Sequence, residues 1–267
     1  MNKIIKDKPL VSIIINCFNG EKYLKKSIES ILNQKYKNWE IIFWDNFSQD
    51  KSKEIFFSFK DKRLKYLKSK NFLKLYDARN CAIKKSRGDY ICFLDVDDWW
   101  SRKKLYKQVK FIRKNKDVSI IYSNYYIYNQ KFHFKKKLFP YYLPSGNITQ
   151  KLLDNYCIGI LTVMIKRNIF NSISFNPRYN ILGDFDFFVK ASKTYKIYCI
   201  QEPLCYYRFH GSNYSLIKTS EYINELTFWL KKISLDKNYK TFSFKMIRLL
   251  KFRMIIKRFI GKFINLN

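Results

Sequence analysis

The chain has 267 residues, 47% of them hydrophobic and 28% charged, which is enough for a large α/β domain with an appendage and too apolar for a disordered chain. Its net charge of +32 points to an anionic partner, such as nucleic acid, an anionic membrane or a phosphorylated ligand. The lysines are scattered rather than gathered in one patch, and the excess of Lys, Asn, Ile, Tyr and Phe also fits an AT-rich coding bias, so charge alone does not select a nucleic-acid binder.

In chain order, Met1 to Pro9 is polar and basic without an apolar core, and no secretory leader is expected. Leu10 to Ile15 is a buried strand running into the turn cluster Asn16-Cys17-Phe18-Asn19-Gly20. Glu21 to Gln34 is an amphipathic helix with Leu24, Ile28, Ile31 and Leu32 on one side. Trp39 to Trp44 is a second strand ending in the polar cluster Asp45 to Asp50. A helix over about 51–59, a weak strand from Arg63 to Leu67 and a helix from Asp77 to Ser86 follow. Near-continuous apolar strands alternating with helices predict a mostly parallel sheet covered on both faces. No G-x-G-x-x-G follows the first strand and no P-loop occurs, which disfavours the usual dinucleotide and P-loop chemistries. No apolar run is long enough to span a bilayer. The six cysteines form no C-x-x-C pair and no zinc-like spacing with the two histidines, so reduced thiols are expected.

The centre of the pattern is Gly88 to Trp100. The buried strand Tyr90 to Leu94 ends abruptly in Asp95, Asp97 and Asp98. On an extended chain Asp95 and Asp97 point the same way and could share one Mg²⁺ or Mn²⁺, with nucleotide phosphates completing its shell. A solvated acidic turn with Asp98 or Ser101 capping the next helix is the competing reading. Three polar clusters, 16–20, 45–50 and 95–98, fall at strand C-termini, where open α/β sheets bind ligands.

The pieces Val11 to Asn19, Gly20-Glu21-Lys22-Tyr23-Leu24, Ile31-Leu32-Asn33-Gln34, Trp39 to Asp50, Asp77-Ala78-Arg79-Asn80, Gly88-Asp89-Tyr90 and Leu94-Asp95-Val96-Asp97-Asp98 resemble, in order and spacing, the opening of a family 2 glycosyltransferase. The resemblance extends over roughly 9–215. It implies the GT-A fold, a nucleotide-sugar donor (a UDP-sugar foremost), a Mg²⁺ or Mn²⁺ ion and inversion at the anomeric carbon. It divides a transferase domain at 1–215 into a donor half (9–100) and an acceptor half (101–215), followed by a basic helical tail at 216–267. Residue by residue, Asp45 would accept from the nucleotide base, and Arg79 would lie near the base or diphosphate, although alone it reads as a surface cation. Asn16 and Asn19 would join the donor set, Asp95 would contact the ribose or sugar, and Asp97 would hold the metal. The chain departs from the family at Asn16, usually Pro, and at Asn46-Phe47-Ser48, usually Asp-Gly-Ser.

Val118 to Tyr128 reads as a long aromatic strand, 132–138 as an exposed Lys-rich loop, and Cys157 to Arg167 as similar to the family's acceptor-side strand. In the family an acidic pair follows, whose second member is the catalytic base. Here the pair aligns as Gly183-Asp184, leaving Asp184 as base, with Asp186 in support. The base takes the proton from an attacking sugar hydroxyl, while helix N-capping is the structural alternative for Asp184. Pro203 to Asn213 resembles the closing motif. Its Arg208 and His210 alternate and would reach the diphosphate and the metal.

After Asp236 no acidic residue occurs. The basic, apolar segment Phe242 to Phe263 fits peripheral docking on an anionic leaflet at the cytoplasmic face, or a helix packed on the domain with solvated lysines. The family resemblance implies transfer of a sugar to a glycan acceptor, lipid-linked, in surface polysaccharide synthesis. A nucleotidyltransferase lacks its Gly-rich triphosphate loop here, and no nucleic-acid-binding module is recognisable, so no specific nucleic-acid partner is expected. A non-catalytic relative stays open because of Asn46-Phe47 and Gly183.

Overall fold

A computed structural model describes residues 8–211, 213–214 and 218–264. Strand β1 (Val11–Cys17), helix α1 (Glu21–Leu32), β2 (Trp39–Asp45), α2 (Ser52–Ser58), β3 (Leu64–Lys68), α3 (Leu75–Lys85) and β4 (Tyr90–Phe93) alternate as expected. The short β5 (Trp99–Trp100) precedes α4 (Lys104–Lys114) and β6 (Ile120–Asn129). Next come β7 (Phe134–Lys137), α5 (Thr149–Asp154), β8 (Met164–Lys166), α6 (Gly183–Thr194) and β9 (Ile197–Phe209). Helices α7 (Thr219–Leu235) and α8 (Lys245–Ile264) close the described chain.

The strands form one sheet in the order β3-β2-β1-β4-β8-β6-β9-β5, with β7 paired to β6. Its first half is parallel, with β1 in register against β2 from Val11↔Trp39 to Cys17↔Asp45 and against β4 from Val11↔Tyr90 to Ile14↔Phe93. Beyond β4 the sheet becomes mixed, because β8 runs antiparallel to both β4 and β6.

Alternation along each strand explains why these segments are largely apolar. Ile14, Ile42, Ile91 and Phe93 enter one core with residues of α3, α6 and α7, whereas Ile13, Ile15, Ile41 and Cys92 enter a second core with α1 and α4. A sheet buried on both faces tolerates a polar alternate only where it is paired, as at Ser12 and Glu40, where the Ser12 Oγ donates to Glu40 Oε1 at 2.6 Å. The connection reverses at β1, which lies between β2 and β4. That reversal opens a crevice beyond the strand C-termini, where ligands of such sheets bind.

Three local expectations are corrected. Residues 132–138 are not a loop, since Phe134–Lys137 pairs antiparallel with Tyr126 to Asn129. All four of its residues are exposed, so backbone pairing rather than a buried face holds this strand, and alternation could not reveal it. The chain from Asp95 to Asp98 is a turn closed by Asp98 N–H to the Asp95 carbonyl at 3.1 Å, so the two acids do not align on one extended face. Helix α4 starts at Lys104 without a side-chain cap, because Asp98 is engaged elsewhere.

Candidate active site

The turn after β1 and the turn after β2 are laced together before they can hold anything else. Asn19 adopts φ 52°, its side-chain Oδ1 accepts from Gln49 N–H at 2.9 Å and its backbone N–H donates to Ser48 Oγ at 3.1 Å. Gly20 N–H donates to Ser52 Oγ at 2.9 Å, and Glu21 N–H to Asp50 Oδ2 at 2.8 Å. A side chain at Gly20 would bring Cβ within 2.8 Å of Cys17 Sγ, so the close approach requires glycine. Asn19 therefore braces the loop. Asn16 differs: its amide nitrogen is buried with no hydrogen-bond partner, an arrangement costly enough to point to a missing acceptor.

Asp45 ends β2 and is 1% exposed. Its Oδ1 accepts from Ser48 N–H at 2.8 Å, and its Oδ2 accepts from the Tyr66 hydroxyl. The next residue, Asn46, clamps the loop after β3: its Nδ2 donates to the Leu73 carbonyl at 2.8 Å and its Oδ1 accepts from Leu73 N–H at 3.1 Å. An amide can bond both polar groups of one residue, which a carboxylate cannot. Phe47 then takes φ 72°, the left-handed conformation that suits the glycine usual there in the family.

Arg79 is not a surface cation. It lies on α3 at 2% exposure, and its Nη2 donates to Asp95 Oδ1 at 2.7 Å. Burial, the largest single influence, would lower the guanidinium, but the Asp95 charge, together with Tyr76, the bond to Asp95 and the charge of Asp184, outweighs it and holds the group above its usual range. Asp95 remains about one-third exposed.

The second cluster joins the acidic turn to the end of β9. Asp97 Oδ2 and His210 Nε2 lie 3.0 Å apart. Arg208 N–H donates to Asp98 Oδ1 at 2.8 Å and Arg208 Nε to the Asp97 carbonyl at 2.7 Å. The Arg208 guanidinium sits over Tyr23 and Trp99, 4.6 and 4.7 Å from their ring centroids, contacts that fix a cation in a partly dry place. Burial raises the Asp97 carboxyl, as does the charge of Asp95, while His210 opposes the shift. Burial, then Asp97 and Asp95, push Asp98 well up, and the bond from Arg208 resists. Among the described residues no three His, Cys, Asp or Glu side chains converge into a metal cage. One carboxylate and one imidazole nevertheless suit Mg²⁺ or Mn²⁺, which bind proteins sparingly and fill their shells with phosphate and water.

Asp184 lies in the first turn of α6, and it does not cap that helix. The helix has no side-chain cap at Leu182; instead Glu225 of α7 holds the turn leading into it, its carboxylate accepting from the N–H groups of Asn180, Ile181 and Leu182 at 2.6, 3.1 and 2.8 Å. Asp184 is left half-buried, with Oδ1 accepting from Phe185 N–H at 2.8 Å and from the Tyr76 hydroxyl at 3.3 Å. Burial pushes its carboxyl up. Arg79, the Phe185 N–H and the Tyr76 hydroxyl oppose that shift, in falling order. Gly183 is explained by the same tyrosine: a Cβ there would come within 2.4 Å of the Tyr76 ring. Asp186 stands apart from this group, because it is 3% exposed and binds Trp229 Nε1 at 3.0 Å and Lys190 Nζ at 2.5 Å. It ties α6 to α7.

The structure thus gathers Arg79 with Asp95, and Asp97 with Arg208 and His210, and sets Asp184 close enough to Arg79 and Asp95 for their charges to act on it. Asn19 and Asp45 are placed as braces of the neighbouring loops. Sequence reasoning missed Tyr76, Tyr23 and Glu225. Tyr76 lies three residues before Arg79 on α3 and so shares its face, the one signal that could have found it.

The family model described as glycosyl transferase family 2 matches residues 12–188. The chain belongs to this family. The glucosyltransferase WfaP of Escherichia coli, named as a UDP-Glc:α-D-GlcNAc-diphosphoundecaprenol β-1,3-glucosyltransferase, is 34% identical over 233 residues, covering 86% of this chain and 89% of its own. The structure of Staphylococcus aureus TarS 1–349 in complex with UDP-GlcNAc superposes with a TM-score of 0.68 at 16% identity, covering 85% of this chain and 67% of TarS. That of the mannosyltransferase PcManGT from Pyrobaculum calidifontis, in complex with GDP-Man and Mn²⁺, gives a TM-score of 0.67 at 15% identity and covers 92% and 70% of the two chains. The fold of this family 2 glycosyltransferase is accordingly GT-A.

Proposed function

We propose that this glycosyltransferase transfers a sugar from a UDP-sugar to a lipid-linked glycan acceptor with inversion at the anomeric carbon, using Mg²⁺ or Mn²⁺. The observation that carries this reading is the meeting of the Asp97–His210 pair with Arg208 and the Arg79–Asp95 pair at one end of the sheet, in a chain of family 2. UDP is the nucleotide in the WfaP name and in the TarS complex. The lipid-linked acceptor follows WfaP, and the metal is supported by the Mn²⁺ of the PcManGT complex.

Asp97 and His210 would hold the ion, which when bound neutralises charge on the departing nucleoside diphosphate. Arg208, immobilised over two rings and with its Nε already engaged, presents its terminal nitrogens as donors to phosphate oxygens. The unpartnered Asn16 amide would donate to the donor's uridine, with Asp45 as the acidic side of that pocket and Asn19 fixing its loop. Asp95, held by Arg79, would orient the ribose or sugar. Asp184 takes the proton of the acceptor hydroxyl as that oxygen attacks from the face opposite the leaving diphosphate. Its burial, which raises the carboxyl, brings it nearer the range where a general base works.

A lipid-linked acceptor brings the enzyme to a membrane, and peripheral contact with the cytoplasmic face belongs to the same reading. Titration calorimetry with UDP and GDP, each with and without Mn²⁺, tests the donor site. Metal-dependent binding of UDP that vanishes in Asp97→Asn is expected. A folded protein that binds neither nucleotide would overturn the assignment in favour of a non-catalytic relative.

A further inference from the structure

Helix α8 divides along its length into a part that belongs to the fold and a part that does not. Its start is fastened to α5: Gln150 Nε2 donates to the Ser243 carbonyl at 3.0 Å, and Ser243 N–H donates back to Gln150 Oε1 at 2.9 Å. Phe244 packs edge-on against Trp229, and Ile247 is buried. Beyond that turn the large apolar side chains face solvent, with Phe252 59%, Ile256 41% and Phe259 65% exposed.

These exposed residues are ordered. Leu249, Phe252, Ile256 and Phe259 follow one another at spacings of three, four and three, which on an α-helix makes a single stripe. At about 100° per residue the stripe lies on the side of α8 opposite Ile247 and Met254. Arg248 borders it on one side and Arg253 on the other. Leu249 on this stripe is half-buried, and Met246, Leu250 and Ile255, 41%, 44% and 37% exposed, lie off it; the rest of the mixture of cations and apolar residues resolves into a narrow apolar ridge with basic flanks.

Two occupants could cover such a ridge, a second copy of this chain or a lipid surface. Charge decides between them. The segment Lys245–Ile264 carries seven Lys and Arg residues, and no acidic residue follows Asp236. Pairing two copies along the stripe would set Arg248 and Arg253 of one helix beside the same residues of the other, with no carboxylate to neutralise them. Helix pairs normally place opposite charges at those flanks. An anionic bilayer supplies both what the ridge needs and what its flanks need. No helix among the described residues is long and apolar enough to cross a membrane, so the contact is one of lying on the surface.

We propose that α8 is the membrane-docking element of this enzyme: Phe252, Ile256 and their stripe enter the acyl boundary of an anionic leaflet, and Arg248 and Arg253 sit at its phosphates. The proposal rests on the lipid-linked acceptor reading only for the reason to be at a membrane, since the surface itself is argued from α8.

The experiment is co-sedimentation of the full chain with vesicles of phosphatidylcholine alone and of phosphatidylcholine with roughly one-third phosphatidylglycerol, for the native sequence and for Phe252→Ser/Ile256→Ser. Binding to the anionic vesicles is expected, falling about tenfold or more in the double variant and on neutral vesicles. Metal-dependent UDP binding, measured without vesicles, should be unchanged in the variant, so a failed donor site is seen separately from a failed docking surface. Equal anionic-vesicle binding by native and variant chains would overturn the proposal, because charge alone would then carry the contact. So would a dimer in sedimentation velocity without vesicles that the double substitution abolishes, since the occupant would then be a second copy.

Discussion

Where the family pattern would place a second acid, at Gly183, this chain sets the Tyr76 ring, and the Tyr76 hydroxyl acts on Asp184 with the opposite electrical sense. A neighbouring carboxylate would raise the base further by like-charge repulsion, whereas the Tyr76 hydroxyl donates a hydrogen bond that favours the ionised form. Removing that donor in Tyr76→Phe leaves burial less opposed, so the Asp184 carboxyl moves up. Because the base must be ionised to accept a proton, the acid limb of the pH profile of kcat/KM is expected to shift to higher pH, with a smaller effect on the alkaline plateau. An unmoved limb would remove Asp184 from the titrating role. Gly183 is the other half of the arrangement. Gly183→Ala should cost about 1–3 kcal/mol in denaturant unfolding, because its Cβ meets a buried ring that cannot yield. That cost should shrink when Tyr76→Leu is added, a non-additivity expected only of residues in contact. The absence of an acid at 183 was legible in the sequence; its cause was not, because Tyr76 lies more than one hundred positions away.

At the scale of elements, the central strands of the parallel half were readable because β1, β2 and β4 are buried on both faces and so carry a near-continuous apolar signal. The exposed β7 strand and the turn at Asp95 to Asp98 gave no such signal. The first lacks a buried face, and the second depends on Arg208 arriving from β9 to occupy Asp98. The loop after β2 shows how a family departure is absorbed. Asn46 holds Leu73 in both directions, which fixes the turn that obliges Phe47 to adopt φ 72°. A side chain in that conformation costs of order 1–3 kcal/mol. Phe47→Gly is therefore expected to be more stable than Phe47→Ala by about 1 kcal/mol in chemical denaturation, reversing the usual order of glycine and alanine. The usual order would mean that the loop is not under backbone strain.

Across the whole molecule, the site is assembled from elements far apart in sequence, and its rigidity depends on how the last third of the chain is fastened to the first. Helix α7 is central to that fastening although composition marks it only as the start of a basic tail. Its Trp229 is 1% exposed, packs against Phe185 with ring centroids 4.9 Å apart, and donates to Asp186. Its Glu225 holds the Asn180 to Leu182 turn from which α6 and Asp184 start. Periodicity could show α7 to be helical but could not show which core it enters, since that depends on α6 presenting Phe185 and Asp186 on the facing side. Two substitutions separate the structural from the catalytic part of this contact. Trp229→Phe keeps most of the packing and removes only the hydrogen bond, leaving one oxygen of buried Asp186 unserved at a cost of about 1–3 kcal/mol. Glu225→Gln keeps the size of the side chain but weakens its bonds to the three N–H groups of the turn just before α6. It should therefore lower kcat more than its effect on the melting temperature would suggest, because Asp184 rides on that turn. If kcat and UDP binding in Glu225→Gln instead fall only in step with lost folded protein, the turn is held by packing alone and α7 acts on catalysis solely through stability.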